Sequence, residues 1–138
     1  AERVDLFDRT ADAKTHLAHY HDIDLALDTF PYHGTTTTCE ALWMGVPVVA
    51  LAGRSHIART GVSVLTNAGL PELVADDVAA YVDLAVELAG DVRRLEALRL
   101  GMRERLLASP LLDARTYARD FESAIRGLWQ RWCARQRD

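Results

Sequence analysis

The stretch "DIDLALDTFPYHGTTTTCEALWMGVPVVAL", residues 22–51, decides how this chain is read. It opens with Ile23, Leu25 and Leu27 alternating against polar neighbours and stopping at Asp28, the pattern of a strand over 22–28. It closes with "VPVVAL" (46–51), apolar enough for a strand buried on both faces. Between them stand Gly34, four consecutive threonines and a helix through Cys39 to Met44, which Gly45 ends and Pro47 keeps from continuing. β-Branched threonines are poor helix formers. Four of them at a strand-to-helix junction ask what their hydroxyls and backbone amides are for.

Outward from this unit, "RVDLF" (Arg3 to Phe7) reads as a short strand, with Val4 and Leu6 alternating. Thr10 and Asp12 can cap a short helix through "AKTHLAHY". After "VPVVAL", "GVSVLTNAG" (61–69) is helical by the recurrence of Val62, Leu65 and Ala68, with a strand as the alternative. Pro71 can open another short helix. "DDVAAYVDLAVELAG" is an amphipathic helix with an Asp cap and Gly90 behind it, and "DVRRLEALRLGMRERLLA" is another. The last helix, 113–136, sets Tyr117, Phe121, Ile125, Leu128 and Trp132 on one stripe, which predicts a core-facing side. Strands alternating with helices imply a parallel sheet with crossover helices. The expectation is an α/β fold: one domain over residues 1–138, with a small parallel sheet followed by several helices.

Composition bounds the function. The chain has 138 residues, 49% of them hydrophobic and 26% charged, with a net charge of -4. Nothing points to a nucleic-acid footprint. No apolar run approaches the ~20 residues of a bilayer span, so no membrane partner is expected. Two cysteines, Cys39 and Cys133, make no disulfide framework, and a cytoplasmic location follows by default. The N-terminal segment has no apolar signal-peptide core. It lacks an initiator Met, which suggests an excised or processed product or a piece of something longer.

The threonine tract falls where open α/β sheets bind ligands, between a strand's C-terminal end and the next helix. Unpartnered N–H groups and the helix dipole favour an anion there. Gly34 permits close approach, and the hydroxyls add donors, making a neutral cradle for a diphosphate. No P-loop and no G-x-G-x-x-G is present. The plainer alternative is a helix cap with spare hydroxyls. Glu40, one turn in, either accepts from a ribose diol or is an ordinary N-terminal helix charge. His16, His19 and His21 cluster before the second strand. His16 and His19 could share a metal, with His33 or His56 completing it, but no recognisable ligand spacing supports this. Stacking on a base, or plain surface exposure, are the other readings.

In order and spacing, LDT-x-P, the G-x-T-T run, the ALW-x-G-x-P turn and S-P-L-x-D resemble the C-terminal catalytic lobe of the O-linked N-acetylglucosamine transferases and their SPINDLY-like relatives. The likeness runs from about Arg3 to Trp132. It implies part of a Rossmann-like lobe of a two-lobed GT-B glycosyltransferase, with UDP-N-acetylglucosamine as donor substrate, no cofactor and no metal. By resemblance, Thr36 and Thr37 meet the diphosphate after Gly34, and Thr35 stands where many relatives have His. Glu40 takes the ribose-binding acid's place, and His16 lies beside the uridine and phosphates. Ala11 offers a backbone contact to uracil, and His19 replaces an Arg near the base. The position of a ribose-contacting lysine falls on Ala13, with Lys14 next door.

The resemblance also implies that a preceding lobe, this lobe's opening strands and the acceptor-gripping helical repeats lie outside this chain. The candidate catalytic groups go with them, and none is assigned here. The expected activity is transfer of the sugar to Ser or Thr hydroxyls of a protein acceptor, with this chain alone catalytically incomplete. The alternative is a non-catalytic interaction or dimerisation module derived from that lobe.

Overall fold

The computed structural model describes residues 3–8 and 10–136. At its centre lies β2, Val48–Leu51, buried at every position, as an unbroken apolar strand covered on both faces should be. β1 (Ala26–Leu27) and β3 (Val74–Ala75) flank it in the order β1-β2-β3. Both pairings are parallel: Ala26 stands opposite Val48 and Leu27 opposite Val49, while Ala50 faces Val74 and Leu51 faces Ala75. β2 therefore pairs with β1 along its first half and with β3 along its second.

Six α-helices accompany the sheet among the described residues: α1 (Ala13–Ala18), α2 (Thr36–Trp43), α3 (Thr60–Asn67), α4 (Val78–Gly90), α5 (Val92–Leu107) and α6 (Ala114–Arg135). α2 carries the chain from β1 to β2, and α3 from β2 to β3. Both end alike. Gly45 and Gly69 adopt φ of 84° and 72°, a conformation that glycine reaches without strain. Their N–H groups bond to Leu42 and Thr66, and the next N–H reaches back from Val46 to Ala41 and from Leu70 to Leu65. This is the Schellman closure, and it delivers Val46 and Leu70, both wholly buried, into the core with Leu42, Leu65, Leu88 and Met102. α4 packs on β2 and β3, and α5 packs on α2 and α4.

The strand expected over Arg3–Phe7 is not formed. Val4, Leu6 and Phe7 are exposed and irregular, because alternation alone supplies no neighbouring strand to pair with. The strand expected over 22–28 shrinks to Ala26–Leu27, its start taken up by a 3₁₀ turn at His19–Asp22. β3 went unread, since two residues are too few to show a period. Residues 61–69 resolve as helix, in α3. Pro71 opens only a 3₁₀ turn, Pro71–Leu73.

The largest departure is α6. Its stripe has the expected helical spacing, but Tyr117, Phe121, Ile125, Leu128 and Trp132 are between 50% and 68% exposed, and no residue of the helix is buried. Tyr117 stacks on Phe121 and Trp129 on Trp132 along the helix itself. Periodicity identifies an apolar face but not what covers it. Phe121→Ser is therefore expected to change stability by no more than about 0.5 kcal/mol, as for an exposed position. Leu65→Ala, with no exposed surface to begin with, should cost about 2–5 kcal/mol. Thermal unfolding of the two variants separates an uncovered stripe from a core one.

Candidate functional site

The site forms where β1 gives way to α2. Asp28 N–H still bonds to Val49 O at 2.9 Å, so the parallel pairing holds Asp28 at the sheet's C-terminal edge. The chain then loops through Thr29 to Thr35. His33, 1% exposed, pins this loop: its backbone N–H bonds to Ile57 O and its Nε2–H donates to Leu51 O, each at 2.9 Å. Its Nδ1 accepts the Gly61 N–H at 3.1 Å. Both ring nitrogens are thus used within the protein, which removes His33 from the metal-ligand candidates.

Gly34 is needed for space rather than for an unusual backbone angle. A β-carbon there would lie 2.5 Å from Thr37 Oγ1 and 2.8 Å from Thr38 Oγ1. Those hydroxyls close over the glycine and line, with Tyr20 and Asp28, a cavity of about 140 Å³. The Gly34 N–H donates to Asp28 Oδ1 at 2.8 Å, so that amide is already committed. The donors left for a ligand begin with the first turn of α2, Thr36 to Thr38, whose N–H groups have no intrahelical partners.

α1, α4, α5 and α6 each start on an aspartate whose carboxylate caps the helix: Asp12, Asp77, Asp91 and Asp113. α2 starts on Thr35, which makes no side-chain cap. The threonines are therefore not spent on capping at Thr35. Thr35 instead faces a separate depression of about 490 Å³ with His56, Arg59 and Thr60.

One turn further along α2, Glu40 Oε2 lies 3.2 Å from His16 Nε2 on α1. Tyr20 meets the His16 ring edge-on at 5.7 Å and donates its hydroxyl to Thr37 O at 3.4 Å. Burial, then the Glu40 carboxylate, push the Tyr20 phenol up, so it keeps its proton and remains a donor at neutral pH. His16, Glu40, Gly34 and Thr37 are thus brought together around Tyr20, and Thr36 lies exposed in the same first turn of α2. The His19 ring lies 5.0 Å from that of Phe7, tilted by 52°, and shares with His16 and Tyr20 a hollow of about 650 Å³. Ala11 and Lys14 lie exposed at the start of α1 and line none of these cavities.

Sequence reading missed Tyr20, Asp28 and Tyr81, and it read His33 only as a candidate metal ligand. An aspartate closing an apolar strand just before a glycine loop was the available signal for Asp28. Tyr81 comes from α4, far away in sequence, and donates its hydroxyl to Asp28 O at 3.0 Å. Asp22 and Asp24 have D-x-D spacing, yet among the described residues no three His, Cys, Asp or Glu gather as a metal would require. No described helix is long and apolar enough to cross a membrane.

A parallel strand–loop–helix unit with the loop at the strand's C-terminal edge defines a Rossmann-like α/β lobe. The chain belongs to glycosyl transferase family 41, whose family model matches residues 1–121. It is 49% identical over 131 residues to the probable UDP-N-acetylglucosamine–peptide N-acetylglucosaminyltransferase SPINDLY of Hordeum vulgare, covering 95% of this chain and 14% of that protein. To the Arabidopsis thaliana SPINDLY it is 45% identical, covering 96% of this chain and 15% of the relative. The UDP-N-acetylglucosamine–peptide N-acetylglucosaminyltransferase of Caenorhabditis elegans is 32% identical over 92% of this chain and 11% of its own length. Among solved structures, a lysine-to-methionine mutant of the Thermobaculum terrenum O-GlcNAc transferase superposes with a TM-score of 0.86 at 42% identity, over 96% of this chain and 25% of that one. The chain therefore spans only a small part of the relatives it matches.

Two outcomes check the local geometry. Gly34→Ala should destabilise by about 1–3 kcal/mol, the usual cost of overpacking, read by chemical denaturation. Partial burial, then the Glu40 charge, push the Cys39 thiol up. Glu40→Gln should therefore raise its thiolate fraction and speed its alkylation at about pH 8. Peptide-resolved mass spectrometry should show the rate at Cys133 unchanged.

Proposed function

We propose that this chain is the nucleotide-sugar-binding, C-terminal part of a protein O-GlcNAc transferase, taking UDP-N-acetylglucosamine by its diphosphate at the start of α2. The observation that carries this reading is the uncapped first turn of α2, with the Thr37 hydroxyl turned back over Gly34. Relatives named as UDP-N-acetylglucosamine–peptide transferases support the choice of donor and of a peptide acceptor. The pairing of Glu40 with His16, and the hollow that His16 shares with His19, support ribose and nucleoside contacts on that side.

In the intact enzyme an acceptor Ser or Thr oxygen forms a bond to the sugar's anomeric carbon as the bond from that carbon to the diphosphate oxygen breaks. The acceptor proton goes to a base outside this chain, and UDP leaves with the bonding electrons. Negative charge grows on the leaving phosphoryl oxygens. The Thr36–Thr38 amides and the α2 dipole stabilise it without reorganising, which is the contribution of this lobe. No step calls on a metal.

Titrating UDP into the ¹⁵N-labelled chain tests the reading. The amides of Thr36 to Thr38, with His16 and Glu40, should shift with an affinity near millimolar. EDTA should leave the curve unchanged. Thr37→Ala should weaken binding about fivefold, the worth of one hydrogen bond. UMP binding as well as UDP, or shifts confined to another face, would overturn the proposal. The chain alone should transfer no sugar from UDP-N-acetylglucosamine to peptide.

A further inference from the structure

The Asp28 side chain is almost entirely buried, at 4% exposure, and its two oxygens have unlike surroundings. Oδ1 accepts the Gly34 N–H at 2.8 Å. Oδ2 has no hydrogen-bond partner. Its polar neighbour is His33 Nδ1 at 3.5 Å, and that nitrogen already accepts from Gly61 N–H. A buried carboxylate oxygen left unpaired is costly to the fold. A residue chosen for stability alone would not leave it so. α3 nonetheless approaches this oxygen closely: a β-carbon on Gly61 would lie 2.3 Å from Oδ2 and 2.8 Å from His33 Nδ1. Tyr81 reaches across from α4 to the Asp28 carbonyl. The strand end, the threonine loop, β2, α3 and α4 all meet at this one pair of residues.

We propose that Asp28, through the Gly34 N–H, is the positioning residue of the phosphate cradle. Its Oδ1 draws Gly34 N–H inward, which turns the loop so that the Thr36–Thr38 amides face out from the first turn of α2. His33, beside the carboxylate's unpaired oxygen, ties the loop to β2 through Leu51 and to α3 through Gly61. Asp28 touches no substrate; it acts through Gly34. This rests on the reading of α2 as the diphosphate site, and the two can fail separately.

The variants are Asp28→Asn and Asp28→Ala, each ¹⁵N-labelled in the 138-residue chain and titrated with UDP. The Asn amide keeps an acceptor for Gly34 N–H and offers an N–H toward His33. Asp28→Asn should bind UDP within about threefold of the unsubstituted chain, and Asp28→Ala should lose about tenfold or more, as expected for losing a charged acceptor. Hydrogen exchange at Gly34 should be fast in the Ala variant and protected in the Asn variant, while β2 amides stay protected in both. Equal UDP binding by the Ala variant, or equal loss in both variants, overturns the assignment. If the unsubstituted chain binds no UDP, the diphosphate reading falls, and Gly34 exchange alone decides the role of Asp28. Protection unchanged in Asp28→Ala then refutes it.

Discussion

The site depends on a carbon atom that is not there. Any side chain at position 34 would enter the space held by the Thr37 and Thr38 hydroxyls, and the loop could not fold down onto the first turn of α2. With glycine in place, the loop closes, its amide reaches Asp28, and the threonines frame a small cavity at the edge of the sheet. The parallel register of β1 on β2 fixes where that edge lies, because Asp28 is held by Val49. Wholly buried Val49 ties the position of the site to the packing of the core.

The fold was legible where local chemistry and period agree. Gly45 marked a helix end, and it takes the left-handed conformation that a Schellman closure uses, as Gly69 does at the end of α3. Asp12 and Asp77 act as caps. The strand–threonine loop–helix–strand order stands as read because its breakers are unambiguous, although the first strand shortens to Ala26–Leu27. The interior of the site was less legible. Tyr81 and Gly61 meet Asp28 and His33 only through tertiary packing, and a single sequence carries no mark of who meets whom.

The two errors at the ends of the chain share a cause. Val4 and Leu6 alternate as a strand would, and the α6 aromatics recur as a buried helix would, yet both faces stand in solvent. A pattern states what a segment could bury, while burial itself needs a partner surface. The chain corresponds to 14% of the Hordeum vulgare relative's length and 25% of the Thermobaculum terrenum one's. A face with nothing against it in this segment is no contradiction of the pattern that produced it.

The electrostatics of the cradle follow the same logic. A diphosphate brings at least two negative charges, while a helix N-terminus offers the equivalent of roughly half a positive one. The residues lining the cavity between Tyr20, Gly34 and Thr38 include no Lys or Arg and do include the carboxylate of Asp28. Arg59 stands beside Thr35 across the neighbouring depression, its guanidinium held by Gly53 O, and Lys14 lies out on α1. Hydroxyls and amides give direction and close fit but little net charge. On the proposed reading, a site so composed would orient a diphosphate better than it would neutralise one, and firm retention would call for a cation supplied from beyond these residues. On that reading, a pocket lined by hydroxyls, amides and one carboxylate and without a cation would bind the donor only weakly by itself.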